Sequence, residues 1–65
     1  MKTVLHLVRA NAAPQAVAEP DWVVYLQPTT LVQGGAPHTA PCSLGPIDHD
    51  QLVALAFAAD LVITW

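Results

Sequence analysis

A small α/β domain built on a parallel sheet is the fold class this sequence predicts, on three observations. Aliphatic runs at Thr3–Val8, Asp21–Gln27 and Leu61–Trp65 read as strands. A helix with a capping signal stands directly before the last of them. The strands lie at both ends of the chain with crossovers between, which favours parallel neighbours and right-handed connections.

The first run is rich in β-branched and aliphatic residues and carries His6 at its middle. Between Arg9 and Pro20 the prolines at 14 and 20 enclose small residues, so any helix over 14–19 is barely a turn long and the crossover is expected to be short or irregular. Trp22, Val23, Val24, Tyr25 and Leu26 follow without a polar break, as suits a strand buried on both faces, and Pro28 ends the run. Thr29–Gln33 adds either a turn of helix or an edge strand. The stretch from Gln33 to Pro46, with Gly34, Gly35 and prolines at 37, 41 and 46, reads as a long loop.

Asp48 is placed to cap the helix and Gln51, three positions on, to reach back to it. From Leu52 to Ala59 every side chain is apolar, so the helix offers no wet face and needs cover on nearly all sides. A chain of 65 residues cannot supply it, because a domain of this size buries only about 60% of its unfolded surface. Its one cysteine, Cys42, rules out an intrachain disulfide. Charged residues make up 11% of the chain against about 25% in ordinary soluble domains, and hydrophobic ones 54%, so apolar surface is left over for subunit contacts. Trp22, Tyr25, Phe57 and Trp65 are the expected core or interface anchors.

Composition also excludes some roles. Lys2 and Arg9 are the only permanent cations in a chain of net charge −3, too few to bind a phosphate backbone, so no direct nucleic-acid partner is expected. Leu52–Trp65 is apolar except at Asp60 and Thr64 and is shorter than the ~20 residues of a membrane span. Arg9 interrupts the amino-terminal apolar run where a secretory signal would continue, and a cytoplasmic protein is expected. Gly34-Gly35 has neither the lysine of a P-loop nor dinucleotide-binding spacing, so no cofactor is implied. His38, Cys42, His49, Asp48 and Asp50 carry metal-compatible atoms without the spacing of a structural zinc site, and no metal is expected.

Two chemical readings stay open at Cys42. It precedes the helix start by five residues, where the dipole favours a thiolate and hence a persulfide-carrying role, but no lysine or arginine is near in sequence, and it also reads as a loop cysteine without chemistry. Ser43, His49 and Asp48 can be drawn as a nucleophilic set, although nearness in sequence is not geometry. His6, inside a strand, reads as a core histidine needing one or two hydrogen bonds.

Ile47–Trp65, with its Ile-Asp step, small polar helix start and strand ending in tryptophan, resembles the carboxyl end of the TusB/DsrH family. Thr3–Val8 is similar to that family's opening strand with its Leu-His pair, and Asp21–Gln27 to its second strand, where Pro28-Thr29 stands in place of the usual Asp-Gly. The likeness covers roughly half the chain, in order. It implies one DsrH-like domain over 1–65 with a shortened DsrE-like three-layer fold, a short or trimmed member that lacks the family's fuller first helix and third strand. It further implies a mainly structural subunit, beside DsrE- and DsrF-like sister subunits, in a persulfide relay serving tRNA 2-thiouridine synthesis or dissimilatory sulfur oxidation. The family's sulfur-carrying cysteine, where present, lies in the first crossover, so Cys42 does not inherit its role. The alternatives are a homo-oligomeric sulfurtransferase using Cys42 and a small self-associating binding module without sulfur chemistry.

Overall fold

Aliphatic runs dictate the strands of the parallel part of the sheet, with the most buried of them at its centre. In the computed structural model, which describes residues 2–65, Val4–Val8 forms β1, Trp22–Leu26 forms β2 and Leu61–Thr64 forms β5. β1 lies between the other two and runs parallel to both, with Leu5 opposite Trp22 on one side and opposite Val62 on the other. Leu5, His6 and Val8 are at most 1% exposed, as expected of a strand covered on both faces.

The rest of the sheet departs from the all-parallel expectation. Thr29–Gly34 forms β3, antiparallel to β2, and Gly45–Pro46 forms a short β4, antiparallel to β3, giving a five-stranded mixed sheet in the order β4-β3-β2-β1-β5. Leu26 pairs with Thr29, so only Gln27 and Pro28 turn the chain. A connection that tight can join only antiparallel strands, whereas a parallel neighbour needs a crossover of a dozen or more residues. The register slips between Val23 and Val24, whose partners are Gln33 and Leu31, leaving Val32 as the extra residue of a bulge. The presumed loop 33–46 is thus shorter than its glycines and prolines suggest, since both its ends belong to strands.

That loop is tied down internally. Thr39 N–H donates to Gly34 O at 2.8 Å, His38 Nε2–H donates to Cys42 O at 2.7 Å, and Trp22 Nε1–H donates to Thr39 Oγ1 at 3.0 Å. Gly35, at φ +94°, turns the chain out of β3 through backbone space that L side chains rarely enter.

His49–Ala58 forms α1, the only helix among the described residues. Asp48 accepts the Gln51 amide at 2.8 Å and Gln51 Oε1 accepts the Asp48 amide at 3.0 Å, a reciprocal capping box. The helix connects the β4 edge to the β5 edge across one face, where Leu55 joins Leu5, Trp22, Val24, Leu31 and Ile47 in a dry cluster. Leu52, Ala59, Ala40 and Cys42 pack around it. The opposite face holds Val8, Val23 and His6, with the Trp65 ring stacked on His6, and the chain of 10–20, which forms no helix, is tied to this side by the Ala18 amide bonding Asp21. Among the described residues the architecture is therefore a sheet with one helical layer, without the second helical layer of a three-layer fold.

Candidate functional site

Side chains alternate across a strand, so His6 lies on the face away from Leu5 and α1. Asp21 stands just ahead of β2 and, by the same alternation, shares the face of His6 and Val23. His6 Nε2 lies 2.8 Å from Asp21 Oδ2, and Trp65 Nε1 lies 2.9 Å from His6 Nδ1. An indole N–H can only donate, so Nδ1 accepts and carries no proton, and the ring proton sits on Nε2 and is donated to Asp21. The hydrogen bonds fix the tautomer.

Each outer member of this chain has a second anchor. Asp21 Oδ2 also accepts the Ala18 amide at 3.1 Å, which fixes the end of the crossover. The Trp65 main-chain oxygen accepts the Arg9 Nε–H at 2.9 Å and the Arg9 amide at 3.3 Å. The Trp65 and His6 rings stack with centroids 5.9 Å apart and planes inclined by 27°. His6 is 1% exposed and has both ring nitrogens engaged. A general base needs a free lone pair reachable by substrate, and that of Nδ1 is directed at the indole. The arrangement clamps three chain segments, β1, the start of β2 and the end of β5, and has no nucleophile within it.

Cys42 is half-buried and packs against the α1-side cluster. The sheet stands between it and His6, so the histidine cannot serve as its base. His38, its neighbour, donates to the Cys42 main-chain oxygen and does not touch the sulfur in that bond. Asp48, drawn on paper with Ser43 and His49, has its carboxylate engaged by the Gln51 amide at the helix start. Among the described residues no group of three or more His, Cys, Asp or Glu side chains is placed to hold a metal ion, and no helix is long and apolar enough to cross a membrane.

The four aromatic anchors separate. Trp22 is 3% exposed and belongs to the core of this chain. Trp65 is half-buried through its bond to His6, Tyr25 is 40% exposed and Phe57 is 87% exposed. Val53 shares the outward side of α1 with Phe57, and Leu55 is the one fully buried helix residue, so the cover demanded by the apolar helix is not supplied within the chain. Two clefts open at the ends of the parallel strands. One of about 260 Å³ is lined by Arg9, Ala10, Leu26 and Gln27 at the carboxyl ends of β1 and β2. The other, about 490 Å³, lies at their amino ends beside Thr3, Trp22, Pro37 and Thr39.

Sequence reading missed Asp21 as the partner of His6 and Arg9 as the anchor of Trp65, since both contacts depend on strand register. The one available signal was an aspartate immediately ahead of a buried strand, a place where an unpaired carboxylate would be costly. Comparison with protein-family models, with curated proteins and with solved structures finds no match for this chain.

Proposed function

We propose that this protein is a mainly structural subunit of a sulfur-relay assembly, of the DsrH-like kind its terminal segments resemble, and that sister chains of the DsrE-like type complete its helical layer. The observation that carries the reading is the outer side of α1, where Phe57 is 87% and Val53 37% exposed on a helix with no charged residue after Asp50. A contiguous apolar surface of that kind marks an interaction site. The placement of Cys42 against the core, with the His6–Asp21 pair on the other face, supports a scaffold role over a sulfur-carrying one.

The test is co-expression with DsrE- and DsrF-like sister chains, followed by measurement of complex mass and of persulfide transfer. A stable complex is expected, broken by Phe57→Asp and unaffected by Cys42→Ser. A sulfur adduct on Cys42 after exposure of the isolated chain to a persulfide donor, with loss of transfer in Cys42→Ser, would overturn the scaffold role in favour of an independent sulfurtransferase. Failure to bind either sister chain would remove the relay reading altogether.

A further inference from the structure

We propose that the free edge of β5 is a docking strand for a second copy of this chain, paired antiparallel about a twofold axis through Ile63. The main-chain groups of β5 alternate in direction. Leu61 N–H donates to Thr3 O at 3.2 Å and Trp65 N–H to Leu7 O at 2.8 Å, so the odd-numbered residues face β1. The N–H and C=O groups of Val62 and Thr64 then point away from the sheet, at a position where β5 is the last strand.

The two edges of the sheet are built differently. β4 consists of Gly45 and Pro46, and its brevity and the missing proline N–H leave little for another strand to pair with. β5 has four residues, Leu61 to Thr64, without proline, glycine, charge or bulge, and Leu61 and Val62 are 49% and 39% exposed. Natural sheets guard such edges by one of those devices, and here none is present.

Self-pairing fits this edge in its hydrogen bonds. With Ile63 on the axis, Val62 faces Thr64 of the partner subunit, and each pair exchanges N–H and C=O in both directions, as an antiparallel ladder requires. The α1 helices of the two copies come to lie on one face of a continuous sheet, which leaves their outer sides free for other chains.

The experiment uses the full chain alone, so it is independent of whether relay partners exist. Sedimentation equilibrium across the micromolar range is expected to give a dimer, with the Val62 and Thr64 amides protected from hydrogen exchange. Val62→Pro deletes an outward N–H in each copy without touching the β1 ladder. It is expected to weaken the dimer by at least about tenfold, roughly the net worth of one or two hydrogen bonds. Val62→Lys places a charge on the same edge and repeats the test should the proline variant fail to fold. A monomer at every concentration, a dimer unchanged in the folded variants, or rapid exchange at Val62 and Thr64 in the dimer would overturn the proposal.

Discussion

The two faces of the sheet are held by different kinds of force. Under α1, Leu5, Trp22, Val24, Leu31, Ile47 and Leu55 form a cluster whose stability depends on apolar area and close packing. On the other face, which carries no helix, His6 is fixed by directional bonds to Asp21 and Trp65. Packing tolerates small shifts of angle, whereas a buried hydrogen bond depends on geometry and is costly to leave unmade. A segment with Pro14, Pro20 and many alanines presents too little apolar surface to cover a strand by area alone. A polar clamp at its end, reaching from Ala18 through Asp21 to His6, substitutes for the missing helix.

Damage to the packed face is expected to have the largest effect. Leu55→Ala removes the one fully buried residue of α1, and such truncations cost about 2–5 kcal/mol. In so small a domain that is comparable with the whole stability. Urea titration followed by circular dichroism is expected to show a chain largely unfolded before denaturant is added. A cooperative transition near the parent midpoint would mean that α1 contributes little to the fold.

The clamp is next. Asp21→Ala leaves the His6 Nε2–H and the Ala18 amide without their acceptor, at a cost of about 1–3 kcal/mol for a buried donor. Replacing His6 as well, in His6→Leu/Asp21→Ala, is expected to recover the part of that loss due to the orphaned imidazole donor, while the half-buried Trp65 indole N–H gives up its acceptor. Denaturation of the two single variants and the double variant measures the coupling directly. Simple additivity would show that the pair is not a unit. At the helix start on the other face, Asp48→Ala is expected to cost about 1 kcal/mol through loss of the cap, read as a lowered midpoint with an unchanged slope.

The packed face was largely legible in the sequence and the clamp was not. Val4–Val8, Trp22–Leu26 and Leu61–Thr64 declare themselves by aliphatic content, and Asp48 and Gln51 declare the helix by a spacing that acts within one turn. These are local signals. β3 was obscured because Thr29–Gly34 mixes polar and apolar residues and runs into Gly35, and its direction was set by the tightness of the Gln27-Pro28 turn. Asp21 and His6 are 15 residues apart and Trp65 and His6 are 59 apart, so their meeting depends on the registers of two separate strand pairs. The exposure of Phe57 could be foreseen only as a surplus of apolar side chains, since composition counts such residues without saying which one lacks a neighbour.

The smallest expected effect sharpens the contrast, because it removes a tryptophan's hydrogen-bond partner on the packed face. Thr39→Val deletes the acceptor of the Trp22 indole N–H, a bond of 3.0 Å. Trp22 is buried, yet both residues line the cleft of about 490 Å³ at the amino ends of β1 and β2, through which water can reach the indole. A water in place of the threonine hydroxyl makes a bond nearly as good, so the loss is expected to stay below about 0.5 kcal/mol. Trp65→Phe deletes the donor to His6 Nδ1 at a site closed by the stacked ring, and is expected to cost about 1 kcal/mol or more. Paired urea titrations of the two variants decide the matter: equal losses would mean that water reaches both bonds alike and that the histidine face is no more dependent on directional contacts than the packed one.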